Sequence, residues 1–128
     1  LFLIFQKIIK ISLKSDYQER LKNTIILNED YKKVIKKYDS ENSLIYLDPP
    51  YEESDKSHYD NPIIDYNELL DILSNIKGKF ILSINNSKKI RDLFQNFKIK
   101  KIKTKYTNPL TGGQSKKITE LLITNYEK

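Results

Sequence analysis

Residues 43–51 read Ser43-Leu44-Ile45-Tyr46-Leu47-Asp48-Pro49-Pro50-Tyr51. The first five form an apolar run that predicts a buried strand over Ser43–Leu47. That strand must stop at Asp48-Pro49-Pro50-Tyr51, because two prolines cannot continue a central ladder. The tetrapeptide therefore sits just past the carboxyl end of a buried strand, where open α/β sheets bind their ligands. An isolated proline pair there would read as an ordinary loop. The full tetrapeptide after an aromatic–aliphatic run is far more specific.

On the amino-terminal side, Thr24–Leu27 (TIIL) is a short β-branched run that predicts another buried strand, followed by Asn28-Glu29-Asp30 and a helix over Tyr31–Lys37. Leu1–Leu13 is apolar but interrupted by Lys7 and Lys10, with Phe5, Ile8, Ile9 and Ser12 at helical spacing. It is too short to cross a bilayer, which needs about 20 apolar residues, and it lacks the charge placement and cleavage site of a signal peptide. On the carboxyl-terminal side, Glu52–Pro62 reads as a polar surface loop. Asp65 and Glu68 have capping-box spacing for a helix over Tyr66–Ile76, whose stripe is Leu69, Leu70, Leu73 and Ile76. Gly78 is placed as its C-cap. A strand follows at Phe80–Ile84, then a helix over Lys88–Phe97. Ile99–Tyr106 mixes apolar and basic residues, as a strand with one wet face does. Thr107–Lys117 is a loop, and Ile118–Thr124 a last, mostly buried strand. Strand and helix alternate through the middle, which predicts a mainly parallel α/β sheet. The last two strands have no helix between them and are predicted to be antiparallel.

Composition sets the outer limits. The chain has 128 residues with 31% charged and 38% hydrophobic side chains, which suits one globular domain. It contains no Cys and a single His, His58. Disulfides, a thiolate zinc site and a cysteine nucleophile are excluded, and a His-based metal site is disfavoured. A net charge of +6 permits a polyanionic partner. Nearly all of the basic residues are Lys, with Ile, Asn and Tyr abundant and Ala absent, the pattern of A+T-rich coding. The chain starts with Leu1, as a piece of a longer protein would.

Several segments together resemble the D12 (Dam-like) class of adenine-specific DNA methyltransferases. In order they are Arg20-Leu21-Lys22-Asn23, Ile26-Leu27-Asn28-Glu29-Asp30-Tyr31, Ile45 through Tyr51, Leu82-Ser83-Ile84-Asn85-Asn86, and Glu120-Leu121-Leu122-Ile123-Thr124-Asn125-Tyr126. The resemblance covers about residues 20–126. It implies S-adenosyl-L-methionine as cofactor, DNA as partner, a cytoplasmic location and a place in restriction–modification. It also implies a partial Rossmann-like methyltransferase fold with sheet order 3-2-1-4-5-7-6, in which this chain supplies strands three to seven and the first two strands are missing. Residues 1–22 are then a helical remnant of the target-recognition region, and 23–128 the catalytic part.

The resemblance assigns catalysis to Asp48, Pro49, Pro50 and Tyr51. Adenine's exocyclic amine is a poor nucleophile because its lone pair is delocalised into the ring. Acceptors from the Asp48 carboxylate and the Pro49 carbonyl favour pyramidal geometry and free the lone pair, with proline torsions fixing the direction. Asp48 also stabilises the positive charge that grows on nitrogen. The base must be flipped out of the duplex, and Tyr51 offers it a stacking face. Asp30 reads equally as an ordinary helix cap and as the acid near the cofactor's adenine, with Asp48 also at the cofactor. Tyr59 is a candidate contact to the target base. Lys116 and Lys117 read as phosphate contacts or as a solvated charge pair. Ser83 and Asn85 fall beside the site, and His58 reads as an exposed loop residue.

Two features of the family are not found. The Phe-x-Gly-x-Gly turn that binds the methionine end of the cofactor has no counterpart, since Gly occurs only at 78, 112 and 113. The second strand, with its ribose-binding acid, is likewise absent. A separate chain supplying that half is one expectation. The alternatives are a non-enzymatic remnant or nucleic-acid-binding module, and methylation of another amino nitrogen in RNA or protein.

Overall fold

A computed structural model of the chain describes residues 19–50, 64–107 and 115–127. The elements in chain order are α1 (Tyr31–Tyr38), β1 (Leu44–Leu47), α2 (Tyr66–Ser74), β2 (Lys79–Asn85), α3 (Lys88–Leu93), β3 (Lys98–Thr107) and β4 (Ser115–Thr124). The four strands make one sheet in the order β1-β2-β4-β3. β1 and β2 are adjacent and parallel, with Ile45 opposite Phe80 and Leu47 opposite Leu82. β4 runs antiparallel to both β2 and β3.

The adjacency predicted for Ser43–Leu47 and Phe80–Ile84 is therefore observed, as is the antiparallel final pair. The sheet differs from the mainly parallel one predicted. The order β1-β2-β4-β3 is that expected for strands 4-5-7-6, but of the three pairings among the described residues one is parallel and two are antiparallel. Thr24–Leu27 is not a strand. Residues 24–28 carry no regular structure, and Ile25 and Ile26 are 50% and 62% exposed. A β-branched run makes a strand only when a neighbour completes its ladder, and no described strand lies beside it. The helix predicted within Leu1–Leu13 lies outside the described residues, although residues 19–21 are helical.

All three helices pack on one face of the sheet. Ile35 from α1, Leu69 and Leu73 from α2, and Ile90 from α3 join Phe94 in one cluster with Ile45, Leu47, Phe80, Leu82, Ile84, Leu121 and Ile123. Those sheet residues alternate along their strands and share a face through the register, which is why periodicity located them. Phe97 closes the cluster edge-on to Phe80, with ring centroids 5.1 Å apart. The other face carries Leu44, Tyr46, Ile81 and Leu122, and there Leu44 is 48% exposed.

Local chemistry sets the helix ends. Asp30 caps α1, its carboxylate accepting from the Lys32 N–H at 2.9 Å. Asp65 caps α2 by accepting from the N–H groups of Asn67 and Glu68. These backbone donors hold the Asp65 carboxyl below the usual aspartate range. Glu68, the other half of the predicted capping box, turns instead to Lys32 on α1, 3.0 Å away. Ser87 caps α3 through the Ile90 N–H.

Gly78 has a role other than the C-cap predicted for it. α2 ends at Ser74 with Asn75 as its cap. Gly78 lies where a Cβ would meet Ser43 Oγ at 2.1 Å and the carbonyl oxygens of Ser40 and Ser43 at 2.6 Å. Its N–H donates to Asp39 Oδ1 at 3.0 Å, and the Lys77 N–H to Asp39 Oδ2 at 2.9 Å. Asp39 thus ties the end of α1 to the turn that launches β2, which fixes β1 and β2 side by side.

Candidate active site

The register brings two predicted positions, Asp48 and Asn85, together with Glu120 at the carboxyl edge of the sheet. β1 ends at Leu47, opposite Leu82, and Asp48 continues from it. β2 ends at Asn85, directly opposite Glu120 on β4. The Asp48 carboxyl is pushed above the usual aspartate range, first by partial burial and then by the nearby Glu120 carboxylate. Asp48, Asn85 and Glu120 therefore form one acidic, acceptor-rich corner. The Asn85 Oδ1 atom is buried without a hydrogen-bond partner among the described residues, whereas the neighbouring Asn86 is held by the Arg91 guanidinium. A buried acceptor in want of a donor costs about 1–3 kcal/mol, and such a cost is tolerated at sites that receive a ligand's N–H groups.

The tetrapeptide is anchored from behind. Tyr66, the first residue of α2 and only 5% exposed, donates its hydroxyl to the Pro50 carbonyl at 3.0 Å. Sequence reading placed Tyr66 only as the start of a helix. Neither Tyr66 nor Glu120 carries a local signal for its neighbour in space, since each meets the motif across a long chain separation. A groove of about 660 Å³ opens between the amino-terminal ends of α2 and α3, with Tyr66 in its wall beside Ile64, Asn67 and Lys89. Asp48 and Asn85 do not line it.

The other candidate residues fall as follows. Ser83 is buried within β2. Asp30 is the cap of α1 and also lies 3.8 Å from the Lys32 ammonium. Lys116 and Lys117 are in β4, in register with Tyr106 and Lys105, so the predicted loop is shorter than Thr107–Lys117. Tyr51, His58 and Tyr59 lie outside the described residues. No cluster of His, Cys, Asp and Glu able to hold a metal ion occurs among the described residues. No described helix is long and apolar enough to cross a membrane.

Helices on one face of a mixed four-stranded sheet, with an acceptor-rich corner past the carboxyl ends of β1 and β2, define an α/β protein. The model of the D12 class N6 adenine-specific DNA methyltransferases matches residues 2–108, and the chain belongs to that family. It is 30% identical to the type II methyltransferase M1.LlaDCHI of Lactococcus lactis subsp. cremoris, over 94% of this chain and 46% of the relative. It is 25% identical to the type II methyltransferase M.CviBI of Paramecium bursaria Chlorella virus NC1A, over 89% of this chain and 46% of that relative. The chain thus spans about half the length of these relatives.

Proposed function

We propose that this chain is the catalytic part of an enzyme that methylates the exocyclic amine of a flipped adenine in DNA, as one arm of a restriction–modification pair. The observation that carries the reading is the placement of Asp48-Pro49-Pro50 at the carboxyl end of β1, within the influence of Glu120. In this reading Asp48 accepts one amine hydrogen and the Pro49 carbonyl the other. Tyr66 pins the Pro50 carbonyl, so the peptide that presents the Pro49 oxygen is held in direction. Asp48 and Glu120 together make a negative potential where positive charge grows on the amine nitrogen, which favours the transition state over the neutral ground state. Asn85 Oδ1 is a third acceptor at the same corner. Tyr51 stacks on the base, Tyr59 contacts it, and Lys116 and Lys117 hold phosphate. In this reading the enzyme is cytoplasmic.

S-adenosyl-L-methionine would supply the electrophilic methyl group. The described residues fit the amine side of that chemistry and not a cradle for the cofactor. Gly78 is filled from three sides by Ser40 and Ser43, and Asp30 is engaged as a helix cap, which leaves its cofactor role to be tested. We therefore assign residues 23–128 to the amine-binding half and residues 1–22 to the target-recognition region, with the glycine-rich half and the first two strands supplied by further polypeptide. The same observation favours a second reading, a nucleic-acid-binding remnant without activity.

The test is tritiated methyl transfer to adenine-containing duplex, with the cofactor half present in cis or in trans. Asp48→Ala should lower the rate at least a hundredfold, the usual scale for losing such an electrostatic contact, and leave DNA binding largely intact. Tyr51→Phe should retain most activity and Tyr51→Ala little, because the ring face is what is used. Retention of more than about a tenth of the rate by Asp48→Ala would overturn the assignment.

A further inference from the structure

The β3–β4 ribbon outruns the sheet. β4 pairs with β2 only along Glu120–Thr124, whereas its pairing with β3 continues for five more rows, from Thr119 opposite Lys103 to Ser115 opposite Thr107. At about 3.4 Å per residue, that is a two-stranded arm some 17 Å long. It leaves the sheet past Asn85, on the same edge as Asp48.

Charge is distributed unevenly with respect to this arm. The two strands contain seven lysines, at 98, 100, 101, 103, 105, 116 and 117, and one acid, Glu120. The residues joining them, 108–114, are uncharged. The remainder of the chain has sixteen basic and sixteen acidic side chains, so the whole net charge of +6 belongs to the ribbon. A+T-rich coding enriches lysine everywhere; it does not neutralise the rest of a chain and leave one hairpin unbalanced. Elsewhere lysines meet acids, as Lys32 meets Glu68 and Lys88 meets Asp92. Lys98 meets Glu127 at the end of the ribbon far from the site. Lys100, Lys101 and Lys103 are exposed. Protecting an edge strand from aggregation takes only a charge or two.

We propose that this ribbon is a DNA-docking arm that binds the phosphate backbone of the duplex whose base enters the Asp48 site. A two-stranded ribbon is of a size that the major groove admits, and lysines spaced along it match a polymer carrying one charge per roughly 1.7 Å of axis. Phosphate contacts of this kind set register and orientation without reading sequence. The arm's origin beside Asn85 and Glu120 lets it fix the duplex relative to the acceptors. The proposal rests on the DNA-methyltransferase reading for its choice of duplex DNA over other polyanions.

The experiment measures binding of the 128-residue chain to a fluorescent 20-base-pair duplex by anisotropy, between 50 and 200 mM salt. Lys103→Gln/Lys105→Gln/Lys117→Gln should weaken binding about tenfold or more and reduce the slope of log affinity against log salt by about 2–3. Lys33→Gln/Lys36→Gln/Lys37→Gln removes the same charge from the exposed side of α1 and should change the slope by less than one. The Lys→Arg triple at 103, 105 and 117 should bind like wild type, which separates charge from any loss of folding. Equal effects of the two Gln triples, no effect of the ribbon triple, no measurable duplex binding by the wild-type chain, or a preference for duplex RNA would each overturn the proposal. With the cofactor half added in cis or in trans, ribbon-dependent binding without adenine methylation would sink the enzymatic reading and leave the arm. Methylation that is indifferent to the ribbon would do the reverse.

Discussion

Asp48 carries a conflict that its neighbours create. Partial burial and the Glu120 carboxylate raise its pKa, so the folded chain holds the Asp48 proton more tightly than the unfolded chain does. The contribution of Asp48 to stability is therefore greatest below the ordinary aspartate value of about 3.9. It declines as pH rises from there through the raised folded value, and stays lower above it. Asp48→Asn removes the charge but keeps the shape. Its melting temperature should exceed that of wild type at pH 7 and match it at pH 3, where both side chains are neutral, while methyl transfer is lost. An equal gain at both pH values would show that the strain is steric. Destabilising ionisation at a site is what is expected when a carboxylate is kept for chemistry. The motif itself was legible because proline pairs after an apolar run leave few structural options. Its partners were not. Tyr66 and Glu120 reach it only through the fold, and nothing local to either residue announces the contact.

The elements were legible to the extent that each depends on its own residues. The strands at Leu44–Leu47 and Lys79–Asn85 alternate into one core cluster, and Asp30, Asp65 and Ser87 cap the helices that follow them. Gly78 was found but misread. A glycine after a helix usually closes it, whereas this one is required by the approach of Ser40 and Ser43 from the α1–β1 connection, a contact between segments more than thirty residues apart in sequence. Gly78→Ala should therefore cost about 1–3 kcal/mol or more, the scale of overpacking, read as a lower urea midpoint at unchanged slope. Adding Ser43→Ala should recover little, because two of the three close atoms are backbone carbonyl oxygens. Full recovery in the double variant would place the clash at the Ser43 hydroxyl alone and remove the argument that backbone approach selects glycine here.

Among the described residues, one face of the sheet is covered by helices, and the other leaves the β1 side chains Leu44 and Tyr46 exposed. Thirteen buried residues join the three helices to one side, while Leu44 and Tyr46 on β1 and Ile25 and Ile26 before α1 remain 37–62% exposed. Thr24–Leu27 has strand composition without a strand, because composition supplies the preference and only a neighbour supplies the ladder. Periodicity cannot reveal such a dependence, since the run looks the same with or without its partner. These features belong together if the cofactor half adds strands along the edge of β1 that no described strand pairs with, and covers its exposed face. They predict that residues 1–128 alone bind S-adenosyl-L-methionine too weakly for a saturable calorimetric signal at micromolar concentration. Adding the glycine-rich half in trans should restore binding and raise the melting temperature together, since ligand and partner stabilise the same completed sheet. Leu44→Lys in this chain should leave its own melting temperature nearly unchanged, as a half-exposed side chain does, and should abolish the rise produced by the added half. Micromolar cofactor binding by the isolated chain would mean that the corner formed by Asp48, Asn85 and Glu120 suffices, and that the open face serves another purpose.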